Sequence, residues 1–88
     1  MSELTFDTAQ AKVKSLKSKP SNDELLTLYA LFKQGTAGDV SGKRPGMLDL
    51  RGRAKFDAWS KQQGKDTRSS QEQYIALVEQ LGAKYGFA

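Results

Sequence analysis

Tyr74, Leu77, Val78, Leu81 and Tyr85 recur at steps of three and four, so a single helical face collects all five. The same steps appear near the N-terminus at Phe6, Ala9, Val13 and Leu16, with Lys12, Lys14 and Lys17 off the stripe. No segment alternates apolar and polar residues as a half-buried strand does. The 88-residue chain contains no cysteine, so neither disulfides nor thiolate metal sites can hold it together. Helix packing must supply the stability, which points to an all-α bundle in one domain over residues 1–88.

Local signals divide the chain into four helices. Pro20 closes the first stripe and biases Lys19 away from helical backbone. Ser21 and Glu24 have capping-box spacing and open a second helix carrying Leu25, Leu26, Leu28, Tyr29, Leu31 and Phe32, a stripe wide enough to meet neighbours on two sides. The pattern fades at Gly35. Residues 36–48, with Pro45 and three glycines, have no periodicity and form a loop longer than most helix connections. Asp49 suits the cap of a third helix holding Ala54, Phe56, Ala58 and Trp59. Asp66 and Ser69 are rival caps for the fourth. The expected helices run roughly over 4–16, 22–36, 50–62 and 66–85.

Composition narrows the chemistry. The chain has no histidine and no cysteine, which removes the commonest metal ligand, the commonest general base and any thiolate nucleophile. Binding is therefore expected rather than catalysis, with no metal and no cofactor. Fourteen Lys and Arg against ten Asp and Glu give a net charge of +4, which favours anionic partners without choosing among phosphates, nucleic acid and acidic membrane. Opposite charges are mixed, with no run of five like charges to make a nucleic-acid tail or a polybasic anchor. The longest apolar run falls far short of a membrane span, and the acidic start MSELTFDTAQAK lacks the apolar core of a secretory signal. A cytoplasmic monomer is the expectation.

Two helical faces carry candidate binding groups. Tyr29, Phe32 and Lys33 stand at i, i+3 and i+4, two rings beside one ammonium, and Arg51 and Lys55 share a face at i, i+4. Brought together they would offer cations to a multiply charged anion and a ring to a base. Each residue also has a plainer reading that pattern alone favours: Lys33 complements the helix dipole, Arg51 and Lys55 make a solvated face, and Tyr29, Phe32 and Tyr74 fill a core. The loop glycines lack the spacing of a phosphate-cradling motif.

Three segments carry a more specific message: Lys19-Pro20, LYALFKQGTAGDVSGKRPGMLDLRGRAKFDAW and YIALVEQLGAKYG. With KQ-x-T-x-GD, RPGMLD and the basic block ending in DAW, nearly the whole chain resembles the acyl-coenzyme A binding protein family. The resemblance implies an up-down-down-up, skewed four-helix bundle with a long loop between the second and third helices. It also implies one-to-one binding of long-chain acyl-CoA esters, without chemistry on them, by an intracellular carrier that shields the acyl chain.

Transferred by position, the implied contacts are Lys14, Tyr29, Ala30, Leu31, Phe32, Lys33, Arg51, Lys55 and Tyr74, with Leu25 and Leu26 beside the acyl chain. Tyr29, Lys33 and Lys55 would approach the ribose 3′-phosphate, and Phe32 would lie against the adenine. The chain departs from the family pattern at Phe32 for tyrosine, Arg51 and Arg53 for lysines, and Phe56 for tryptophan. Expected partners are long-chain acyl-CoA and, transiently, membranes or acyl-CoA-using enzymes, with no nucleic acid. The rival readings are a small basic helical nucleic-acid-binding module, which would lose affinity log-linearly with salt, and a thioesterase resting on carboxylates alone.

Overall fold

A computed structural model describes residues 3–88. It contains four α-helices: α1 (Phe6–Lys12), α2 (Asn22–Thr36), α3 (Leu50–Ser60) and α4 (Thr67–Tyr85). The described residues include no strand, only an isolated antiparallel bridge between Leu16 and Phe87.

Side-chain caps set the helix starts. The Ser21–Glu24 box forms reciprocally: Glu24 N–H donates to Ser21 Oγ at 3.1 Å, and Ser21 N–H donates to Glu24 Oε1 at 2.8 Å. Asp49 Oδ1 accepts from Gly52 N–H at 2.9 Å and opens α3. Asp66 is the cap of α4, accepting from Ser69 N–H at 2.6 Å, so Ser69 lies inside the first turn. At α1 a pair of threonines does the work of the usual Ser/Glu box. Thr8 N–H donates to Thr5 Oγ1 at 3.1 Å, and Thr5 N–H donates to Thr8 Oγ1 at 2.7 Å.

α1 is shorter than the stripe from Phe6 to Leu16 predicts. It gives way after Lys12 to one 3-10 turn, Val13–Ser15, and Leu16 is extended, with ψ at 136°. The cause is a non-local pairing: Lys17 N–H donates to the Gly86 carbonyl at 2.8 Å and Ala88 N–H to the Ser15 carbonyl at 2.7 Å. Both bonds need backbone that has left the helix.

Pairs of contacts fix the helix directions. Phe6 meets Tyr74 while Leu16 meets Phe87, so α1 and α4 run the same way. Gln71 donates to the Gly35 carbonyl while Lys84 and Tyr85 donate to Glu24, so α2 runs against α4. Lys55 lies over Tyr29 while Lys33 lies over Trp59, so α2 and α3 are parallel. The order is up-down-down-up, with α2 packed on both α3 and α4 and α1 on α4.

Parallel neighbours need a long return, and residues 37–49 provide it. Gly38, at φ 84°, ends α2 as its N–H bonds back to the Lys33 carbonyl at 3.2 Å. Asp39 Oδ1 accepts from Gln34 Nε2 and Gly64 N–H, both at 2.8 Å, and Arg44 grips Asp57 with two bonds of 2.9 and 2.7 Å. Trp59 Nε1 donates to the Gly38 carbonyl at 2.8 Å. These bonds tie the loop to the C-terminal end of α3 and to the segment that follows it.

The core lies between α1, α2 and α4. Ala9, Leu28, Leu31, Tyr74, Val78 and Leu81 are its buried members, and α3 contributes none of them. α3 therefore sits outside the main core, leaving space along its seam with α2.

Candidate functional site

Two hollows flank the α2–α3 seam and share Leu26 and Ala54. One, of about 520 Å³, is edged by the carboxylates Asp23 and Asp57 together with Lys61. The other, of about 440 Å³, is edged by Lys19, Arg51 and Lys55 and contains no carboxylate. Its apolar floor is Leu25, Leu26, Leu50 and Ala54, and Tyr29 closes one side. An anion with an apolar extension matches the second groove, whereas the first mixes charges of both signs, with Asp57 already paired to Arg44.

The groove cations are uncommitted. Arg44, Lys84 and Arg68 have carboxylate partners, whereas among the described residues Lys19, Lys33, Arg51 and Lys55 form no salt bridge. Lys55 Nζ stands 5.3 Å from the Tyr29 ring centroid, and Lys33 Nζ stands 4.9 Å from that of Trp59. Rings hold these ammonium groups in place while leaving their hydrogen-bond donors available.

One helical turn further along α2, Phe32 belongs to an aromatic group. Its ring is stacked with Phe6 at 6.1 Å between centroids, and Tyr74 lies edge-on to Phe6 at 5.3 Å. Tyr74 is buried, and burial pushes its phenol pKa up. Among the described residues its hydroxyl has no hydrogen-bond partner, so it can donate to a ligand without breaking a contact.

The structure thus gathers Leu25, Leu26, Tyr29, Arg51 and Lys55 around one groove, with Phe32 and Lys33 on the next turn of α2 and Tyr74 of α4 packed against Phe32 at 6.4 Å. Other sequence candidates lie elsewhere. Lys14 is exposed on the 3-10 turn and is not part of the groove wall. Leu31 is a core residue, 4% exposed, and Ala30 is fully buried facing the acidic hollow. Helical geometry explains this, since five consecutive residues cannot share one face.

Lys19, Asn22, Leu50 and Ala54 complete the groove without having been singled out as contacts in the sequence. Leu50 and Ala54 stand at i, i+4 beside Arg51 and Lys55, a spacing that could have revealed them. Phe6 as the partner of Phe32 had no such local signal.

Residues 3–78 match the family described as Acyl CoA binding protein. The chain belongs to the acyl-CoA-binding protein family. It is 59% identical over 83 residues to the Caenorhabditis elegans acyl-CoA-binding protein homolog 1, covering 94% of this chain and 96% of that one. The Drosophila melanogaster homolog is 55% identical over 80 residues, covering 91% and 93%. Among solved structures, rice acyl-CoA-binding protein 2 superposes with a TM-score of 0.86 at 39% identity, covering 90% of this chain and 86% of that one. The solution structure of the yeast acyl-coenzyme A binding protein gives 0.72 at 46%, covering 92% and 94%. The all-α fold of this family is the fold described above.

Proposed function

We propose that this protein binds long-chain acyl-CoA esters one to one, as a carrier that shields the acyl chain and performs no chemistry on it. The observation that supports this most directly is the groove between α2 and α3, where three cations and a tyrosine border a leucine floor with no carboxylate present. That distribution mirrors an acyl-CoA, which joins a multiply charged nucleotide to a tail that water rejects.

In this reading Tyr29 hydroxyl, Lys33 and Lys55 approach the 3′-phosphate, Arg51 adds a planar two-pronged donor, and the adenine lies against Phe32. The hydroxyl absent at Phe32 costs a hydrogen bond but not the stacking surface. Tyr74 offers its unpartnered hydroxyl, and Lys14 adds charge from the 3-10 turn. Ala30 and Leu31 serve as the backbone that spaces Tyr29 from Phe32 and Lys33. Leu25 and Leu26 take the tail. Each methylene removed from water contributes roughly 0.8 kcal/mol. A tail of about a dozen methylenes therefore grosses on the order of 10 kcal/mol before ordering costs. The tail sets affinity, and the head sets orientation.

Binding rather than hydrolysis agrees with a chain that has no histidine and no cysteine. Among the described residues no group of three His, Cys, Asp or Glu is placed to hold a metal, and no helix is long and apolar enough to cross a membrane. In this reading the carrier is a cytoplasmic monomer that buffers free acyl-CoA.

Isothermal titration with palmitoyl-CoA, free CoA and palmitate tests the proposal. The expected result is a stoichiometry of one, tight binding of palmitoyl-CoA, weak binding of CoA and little of palmitate. Equal affinity for CoA and palmitoyl-CoA would refute the groove as the tail site.

A further inference from the structure

The turn Gly46-Met47-Leu48-Asp49 is closed by Asp49 N–H donating to the Gly46 carbonyl at 3.0 Å, which puts Met47 and Leu48 at its two corners. Such corners normally carry Gly, Pro, Asn, Asp or Ser. Here Met47 is 79% exposed and Leu48 102%, and the next apolar residue, Leu50, is 73% exposed. None of the three belongs to the core or packs against it. Single exposed apolar residues are ordinary, but three within four positions on one projection form a patch of the kind that marks an interaction surface.

The projection is held firmly. Asp49 caps α3 on one side, and the Arg44–Asp57 pair fixes the loop on the other. Its surroundings are cationic: Lys43 precedes the turn, Arg51 follows it, and Lys19 meets Leu50 and Arg51 around the groove. Among the described residues none of these three forms a salt bridge, and the neighbouring Asp49 carboxylate is occupied by its helix N–H. Apolar side chains at a tip with free cations behind it match a surface that is apolar inside and negatively charged at its rim.

We propose that this projection docks the protein on anionic membranes, with Met47, Leu48 and Leu50 entering the headgroup boundary and Lys19, Lys43 and Arg51 meeting lipid phosphates. Because Leu50, Lys19 and Arg51 also border the groove, docking sets the groove mouth against the bilayer. Only that last consequence rests on the acyl-CoA reading: a docked protein would take up or deliver its ligand without passing the tail through water.

The test is co-sedimentation of the full chain, without ligand, with vesicles of phosphatidylcholine alone or mixed with phosphatidylserine. The comparison variant is Met47→Ser/Leu48→Ser, which removes side chains that support no packing. Wild type is expected on the serine-lipid vesicles, with little on phosphatidylcholine and release by high salt. The double variant should partition at least about tenfold less. Its affinity for a soluble acyl-CoA, measured by calorimetry, should stay within about twofold.

Absence of wild-type retention, or equal retention of the variant, overturns the proposal. An equal fall in acyl-CoA affinity overturns it by assigning Met47 and Leu48 to the ligand groove. A concentration-dependent dimer that disappears in the variant overturns it in favour of a second copy of the chain. Failure of acyl-CoA binding in calorimetry would strike the proposed function and leave the vesicle result standing.

Discussion

Replacing Lys55 by Met tests the head-group assignment most sharply. Met keeps most of the aliphatic stem above Tyr29 and removes the ammonium, which stands 5.3 Å from that ring centroid. A hydrogen bond to a charged group is worth about 1.5–3 kcal/mol net. Lys55 is exposed, so salt screening lowers the expected loss to about 1–2 kcal/mol, a factor of roughly 5–30 in Kd. The free protein should lose only the exposed cation–π contact, at most about 1 kcal/mol. The assay is calorimetric titration of wild type and Lys55→Met with palmitoyl-CoA and its 3′-dephospho analogue, alongside Lys61→Met as a charge control. Lys61 borders the acidic hollow across the seam, so its loss changes net charge equally without touching the groove. The expected pattern is a 5–30-fold loss, roughly, for Lys55→Met with the intact ligand, and a loss within about twofold in the other combinations. A dephospho ligand that loses as much, or a control that costs as much, would show that Lys55 does not read the 3′-phosphate.

Three further outcomes test the scaffold. Tyr85 hydroxyl, Ser21 N–H and the Lys84 ammonium hold the Glu24 pKa down to about 2 from 4.5, so its stabilising contribution is complete above about pH 4.5 and fades as pH falls towards 2. Glu24→Gln should flatten the acid limb of urea midpoints followed by circular dichroism, and profiles parallel to wild type would contradict this linkage. A Cβ on Gly82 would collide with the Phe87 ring, so Gly82→Ala should destabilise by about 1–3 kcal/mol, yet be nearly silent in a Phe87→Ala background. Equal cost in both backgrounds would remove Phe87 as the cause. Trp59→Phe removes the 2.8 Å donor to the Gly38 carbonyl and should cost about 1–3 kcal/mol in denaturant unfolding, with an unchanged midpoint counting against that tie.

What could be read from the sequence follows the range of the forces involved. Helix periodicity and the Ser21–Glu24 box are set within a few residues, and both are present in the structure. The pairing of Arg51 and Lys55 on one face is equally local, as is the division of α2 into two faces. The early end of α1 depends on hydrogen bonds from residues 86–88, which no window around Leu16 contains. Asp39 likewise looks like an ordinary loop residue until Gly64 and Gln34 converge on its carboxylate. The parallel course of α2 and α3 came from family resemblance, since periodicity carries no direction. Ala30 and Leu31 entered the contact set with a contiguous motif, whereas the helix turns them away from the groove.

The position of α3 links this architecture to the proposed function. Its seam with α2 is lined by Ala30, Ala54 and Ala58, small residues that bury little area. Its large buried ring, Trp59, is held by a hydrogen bond rather than by the leucine core. Arg44–Asp57 and Trp59–Gly38 therefore tie α3 to the preceding loop by directional polar contacts, and Asp39–Gly64 ties the same loop to the segment after α3. A leucine-packed seam would be more stable and would have no groove. An acyl chain lying on Leu25, Leu26, Leu50 and Ala54 would provide the apolar contact that α3 lacks, coupling ligand binding to the stability of this helix through mass action. α3 packs on α2 without joining the leucine core, and in the proposed reading the groove beside that seam is where the apolar tail would lie.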